Sequence, residues 1–160
     1  AGGGLTAALN LYARDKGEIA IAFQIAFYPM LDDQPTVSSL NNDAPIWNTK
    51  SNEVSWRLYL GDLYGTHSIP AYAAPARADD LSGLPPMISF VGDLDPFYSE
   101  TVTFIDRLAA SGVPTYFKVY EGAYHAFNLI TSAELAKDAN QFLVDNFKYC
   151  MTQYFAEQPK

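Results

Sequence analysis

Apolar positions along the chain recur with two periodicities, and their order predicts an α/β fold. Leu5, Ala8, Leu9 and Tyr12 fall at helical spacing behind the opening Ala1-Gly2-Gly3-Gly4, and Gly17 is placed to stop that helix. Residues 19–30 (IAIAFQIAFYPM) are almost continuously apolar, the pattern of a strand covered on both faces in a parallel sheet. Pro29 closes the run, because proline cannot donate to a central ladder. Residues 31–82 break the pattern with a mixture of Asn, Asp, Pro and aromatic side chains. Short helices are expected there around Ser39–Leu40 and Asn52–Tyr59. The segment is long for a plain crossover and suits an inserted excursion. Regularity returns at Pro86–Val91 (PMISFV), a second buried strand. Ser99–Ser111 follows as an amphipathic helix with Val102, Phe104, Ile105, Leu108 and Ala109 inward, ended by Gly112 and Pro114. Thr115–Tyr120 (TYFKVY) is a β-branched and aromatic third strand. Ala133 to about Phe155 is a terminal helix, with Leu135, Ala139, Phe142, Leu143, Phe147 and Met151 at i, i+3/i+4 spacing. Right-handed β-α-β crossovers then give a three-stranded parallel sheet with flanking helices, in one domain spanning 1–160 with 31–82 inserted.

In such sheets the chemistry gathers beyond the carboxyl ends of the strands. Two turns lie there, Gly92-Asp93-Leu94-Asp95-Pro96 and Gly122-Ala123-Tyr124-His125-Ala126. A carboxylate and an imidazole at the ends of adjacent strands suggest the acid and base of a nucleophilic triad. A lone loop histidine is more often structural, but a position after a strand, flanked by glycine and aromatics, favours a functional His125. Asp93 and Asp95 compete to be its partner, and Asp95-Pro96 also fits the N-cap and first position of a helix. Glu100 is placed to support that loop or its capping turn. His67 fits an ordinary surface residue. Trp47, Trp56, Tyr59, Tyr64 and Tyr72 either line a pocket or simply pack the excursion on the main body.

The glycines of the opening have two readings. As a phosphate cradle they lack a following Lys-Ser/Thr. As the second half of a nucleophile elbow they fit better, since small residues let strand and helix approach in a strained turn. In that geometry the backbone N–H of Ala1 belongs to the oxyanion hole.

Composition narrows the partners. The chain is 49% apolar and 14% aromatic, so it carries a sizeable core. A formal charge of −8 argues against nucleic acid and anionic membranes as partners. Cys150 is the only cysteine. It allows no internal disulfide, fits a packing residue of the last helix, and agrees with a reducing, cytoplasmic location. No apolar run is long enough to span a bilayer, and no signal peptide is visible.

Together these motifs resemble the hormone-sensitive-lipase-like (fold-3) group of α/β-hydrolases. That family carries Gly-Asp-Ser-Ala-Gly-Gly at its elbow, and this chain opens Ala-Gly-Gly-Gly-Leu. Tyr28-Pro29-Met30-Leu31-Asp32 matches a strand end of the family, and Tyr72-Ala73-Ala74-Pro75 with Leu84-Pro85-Pro86 matches the approach to its next strand. Asp95-Pro96-Phe97-Tyr98-Ser99-Glu100 matches Asp-Pro-Leu-x-Asp-Glu in part, and His125-Ala126-Phe127 matches His-Gly-Phe. Ser99 and Ala126 depart from the family pattern, and Ala126 is expected to crowd the histidine loop. The resemblance covers residues 1 to about 130 and implies the C-terminal part of a carboxylic ester hydrolase. It implies Asp95 as triad acid, ranked above Asp93, and His125 as base, with small acyl esters as substrates and no metal or cofactor. The serine would stand just ahead of Ala1, since Ser68, Ser82 and Ser111 occupy no elbow context. The chain alone is then expected to be inactive, and to self-associate or pair with a missing N-terminal half. A non-catalytic binding module and a serine peptidase of the same fold are the alternative readings.

Overall fold

Strand β2, Met87–Gly92, is buried at every position and organises the rest. In the computed structural model, which describes residues 1–159, it lies between β1 and β3 of a three-stranded parallel sheet in the order β1-β2-β3. Strand β3, Thr115–Tyr120, pairs with it from Met87↔Thr115 to Gly92↔Tyr120. Because the strands are parallel and in this register, both end on the same side, where their following turns meet. Helix α1 is Gly2–Lys16, α2 Thr49–Leu60, α3 Tyr98–Ala110 and α4 Glu134–Gln153.

The run at 19–30 behaves differently from a doubly covered strand. Paired strand β1 is only Gln24–Ile25, although the ladder extends through Ala26 N–H to Ile88 O (3.0 Å) and Tyr28 N–H to Phe90 O (2.9 Å). Among the described residues no strand pairs with its other edge, and Ile19 is 62% exposed. Tyr28, with φ at 33°, then turns the chain out of the extended region. Apolar content reports how well the faces of a strand are covered; it does not report whether its edges are paired.

Two helices bury faces other than the expected ones. On α1 the buried stripe is Gly4, Ala7, Ala8 and Leu11, while Leu5, Leu9 and Tyr12 are exposed. A Cβ on Gly4 would stand 2.0 Å from Met30 O, so the helix sits as close as glycine allows. On α4 the small Ala136 and Ala139, with Cys150, face inward, and Leu135, Phe147 and Met151 face out. Helix α3 buries Phe104, Ile105 and Leu108 as its periodicity predicts, together with Glu100 and Thr101, while Val102 is half-buried and Ala109 exposed. Its N-cap is Phe97 rather than Asp95, and that cap makes no side-chain bond. Within residues 31–82 the segment around Ser39–Leu40 forms a single turn closed on Thr36 O. The Asn48 side chain caps α2 by accepting the Ser51 N–H at 3.0 Å, which starts that helix before the expected Asn52. Met30, Trp56, Leu60, Ile69, Ala74 and Phe97 form a core that fastens this segment to the sheet's carboxyl end.

At that end the turns after β2 and β3 are joined by backbone. Leu94 N–H donates to Ala123 O (3.1 Å) and Asp93 N–H to Tyr120 O (3.1 Å). Gly92 makes this approach possible: a Cβ there would lie 2.1 Å from Ala123 O. The loop after β3 then bends through Ala126, which takes the left-handed φ of 63° that glycine adopts without penalty. Its departure from the family glycine therefore strains the backbone.

Two stability measurements follow. Gly92→Ala should destabilise the fold by about 3 kcal/mol, since the contacting atom is backbone and cannot rotate away. Ala126→Gly should stabilise it by about 1 kcal/mol by releasing a left-handed alanine. Urea unfolding of the two variants reads both, and opposite signs are the expected result.

Candidate active site

His125 is held at the junction of the two turns. Its Nδ1 lies 2.8 Å from Asp95 Oδ2, with the Asp95 side chain fully buried and that of His125 14% exposed. The other Asp95 oxygen, Oδ1, accepts the Phe97 N–H at 3.0 Å. The Asp95 side chain thus holds the turn that starts α3 and the imidazole at once. Asp93 points elsewhere: its Oδ1 accepts the Gly122 N–H at 2.7 Å and ties the two turns together from the other side. The competition between the two aspartates is resolved by geometry.

Three aromatic rings box the imidazole. Tyr28 meets it edge-on at 4.3 Å, Phe97 at 5.4 Å, and Trp47 lies tilted at 5.6 Å. The Tyr28 hydroxyl reaches Asn128 Oδ1 at 3.1 Å. Burial, and behind it the Asp95 carboxylate, raises the Tyr28 phenol above its usual range, so it stays a donor. Tyr28 and Phe97 are the site residues that sequence reasoning passed over. Their signal was positional, since each stands at or just past the carboxyl end of a strand. No hydrogen bond joins His125 Nε2 to another described residue. His67 is exposed on the inserted segment.

Glu100 does more than support its own turn. Its Oε1 accepts the N–H groups of Leu31 (2.7 Å) and Asp32 (3.3 Å), fastening α3 to the chain that leaves β1. Its Oε2 is buried without a partner, and burial pushes the carboxyl well above the usual carboxylate range. Ala1 lies in the same neighbourhood.

A cavity of about 130 Å³ adjoins the box, lined by Ala1, Gly4, Met30, Trp47, Trp56 and Tyr59 among others. Trp47 forms part of both the cavity wall and the imidazole box. Of the other aromatic candidates, Tyr64 packs beneath the inserted segment, and Tyr72 bonds Asp15 at 2.6 Å. Among the described residues no group of three or more His, Cys, Asp or Glu side chains could hold a metal ion, and no helix is long and apolar enough to cross a membrane.

Comparison with known proteins gives the family of the fold. A family model described as the alpha/beta hydrolase fold matches residues 1–129. The esterase LipI of Mycobacterium tuberculosis (strain ATCC 25618 / H37Rv) is 40% identical over 116 residues, covering 71% of this chain and 36% of that protein. An arylesterase of Saccharolobus solfataricus is 29% identical over 153 residues, covering 92% of this chain and 49% of that protein. The solved structure of a bacterial heroin esterase superposes with a TM-score of 0.85 at 38% identity, covering 89% of this chain and 47% of that one. The chain therefore spans about a third to a half of the length of these relatives. With the sheet, the paired turns and these matches together, the chain belongs to the α/β-hydrolase fold family, in its hormone-sensitive-lipase-like branch.

Proposed function

We propose that this chain carries the acid and base of a carboxylic ester hydrolase, Asp95 and His125, and that the nucleophile is a serine directly ahead of Ala1. The observation that carries this reading is the buried Asp95–His125 bond of 2.8 Å, with Nε2 left free on the other side of the ring. The names of the relatives favour ester substrates over peptides and over a purely binding role. In the reaction the serine hydroxyl attacks the ester carbonyl carbon while His125 Nε2 takes its proton. The carbonyl oxygen becomes an oxyanion, stabilised in part by the Ala1 N–H. Asp95 stabilises the imidazolium and holds the ring. Collapse of the tetrahedral intermediate breaks the bond to the alcohol oxygen, which leaves with the proton from Nε2. Water then attacks the acyl-serine that remains, giving its proton to the same nitrogen; the bond from the acyl carbon to the serine oxygen breaks, that oxygen takes the proton back, and the acid leaves. The cavity beside Ala1 lies on the oxyanion side and receives the acyl group, with the alcohol leaving past His125.

The direct test is the coding sequence ahead of Ala1 and the protein extended to include it. A serine there, with hydrolysis of short-chain p-nitrophenyl esters by the extended protein, is expected; any other residue overturns the reading. In that protein Asp95→Asn should lower kcat by about 10⁴-fold and His125→Ala by at least as much, with the fold intact by circular dichroism.

The unpaired edge of β1 and the exposed Leu5, Leu9 and Ile19 beside it make a second reading of the isolated chain. Edges of this kind pair with other chains. The 160-residue chain is expected to sediment as dimers or larger species, or to pair with the segment that completes its relatives' length. A monomer that persists at the highest attainable concentration would contradict this.

A further inference from the structure

Asp95 owes its place to more than its own turn. The carbonyls of both neighbouring residues, Leu94 and Pro96, are bound from the inserted segment. Ser38 Oγ donates to Pro96 O at 2.7 Å, and Asn42 Nδ2 donates to Leu94 O at 3.1 Å. The same Asn42 amide donates to Ser38 O at 3.0 Å, so the two side chains act as one piece. Ser38 also supplies what the N-cap of α3 lacks. The Phe97 cap position has no side-chain bond, and Ser38 Oγ accepts the Ser99 N–H at 2.9 Å. Ser99 returns the contact by accepting the Ser38 N–H at 3.2 Å. A free N–H in the first turn of a helix needs such an acceptor. Here it comes from far away in sequence and lands two residues past the turn that aims Asp95 at His125.

The segment that provides these bonds is itself braced. Thr49 Oγ1 donates to Ser39 O at 2.6 Å and accepts the Asn42 N–H at 2.8 Å. Between Asn42 and Thr49 lies Trp47, which covers His125. Acid and base are thus gripped by one stretch, residues 38–49.

We propose that Ser38 and Asn42 are positioning residues of the candidate triad, acting through the backbone of Asp95. The inference rests on the assignment of Asp95 and His125 made above, and its test separates the two. Three variants isolate the brace. Ser38→Ala removes the hydroxyl and Ser38→Thr keeps it. Asn42→Asp keeps the Oδ1 acceptor that holds the Ala44 N–H at 2.9 Å but replaces the donor with an oxygen facing two carbonyls.

The first readout is made on the chain itself, through the low-field proton resonance of His125 Nδ1–H. It should broaden or vanish in Ser38→Ala and Asn42→Asp and persist in Ser38→Thr, with the remaining amide spectrum retained. The second is made on the serine-bearing extended protein. There kcat should fall about ten- to hundredfold in the two disruptive variants, with KM within about twofold and Ser38→Thr close to the parent. An unchanged resonance together with unchanged kcat in both variants overturns the proposal. So does a loss confined to KM, which would make the stretch a pocket wall and nothing more. A variant that fails to fold is replaced by Ser99→Ala, which deletes only the return bond. Faster exchange of the Nδ1 proton is expected for it, and unchanged exchange counts against the brace. Full ester hydrolysis by His125→Ala would instead remove the triad assignment, while the resonance would still report on the brace.

Discussion

How closely the chain after β2 can approach the chain after β3 decides the whole site. A parallel pair in full register delivers its two following turns to one place, but side chains would normally keep them apart. Gly92 removes that obstacle, and the Ala123 carbonyl fills the space a Cβ would need. Two backbone hydrogen bonds and the Asp93–Gly122 bond then lock the turns together. The hydrogen-bond length between Asp95 and His125 is a consequence of this packing. Both side chains are thereby held in place by the fold before any ligand is present.

Buried carboxylates around this junction share a logic. Burying a charge is tolerable only with partners. Asp95 has an amide and an imidazole, and Asp33 has the Arg77 guanidinium at 2.5 and 2.7 Å. Glu100 has two amides on one oxygen and none on the other, and its carboxyl is pushed upward accordingly. Each acid joins elements far apart in sequence: Asp33 joins the chain after β1 to the Pro75–Arg77 turn, and Glu100 joins that same chain to α3. Polar bonds of this sort add direction to a core that hydrophobic packing alone would leave free to slide.

These attachments also explain which parts of the molecule could be read from its sequence. Strands β2 and β3 and the buried face of α3 were legible because apolar runs of the right period end in glycine or proline. Asp95 and His125 were legible as a pair because each sits in the turn directly after such a strand. The inward faces of α1 and α4 were legible only in part, at Ala8 and Ala139, since hydropathy weights large side chains while the small Gly4, Ala7 and Ala136 share the close contacts. The start of α3 was read to within one residue, but the cap was not, because Asp95 and Pro96 look like a cap and first residue. In the fold Asp95 accepts the N–H of the true cap residue, Phe97. The Ser38 and Asn42 bonds had no local signal at all. They join polar residues of an irregular segment to carbonyls 58 and 52 positions away, and no periodicity records a contact of that kind.

One backbone N–H carries the argument from fold to chemistry. Phe97 can only donate, so Asp95 Oδ1 must accept. With one oxygen anchored, the carboxylate plane is fixed and Oδ2 faces His125 Nδ1 as a second acceptor. In the tautomer with the proton on Nδ1, this bond leaves the lone pair of a neutral ring on Nε2. That nitrogen is the one with no partner among the described residues. Tyr28, Phe97 and Trp47 cover the sides of the ring and oppose its rotation, so the assignment cannot be reversed by a flip. A ring so placed turns Nδ1 to the carboxylate and leaves Nε2 on the opposite side. The direction in which that atom points is set by the amide that starts α3, and therefore by whatever holds the first turn of α3 in place.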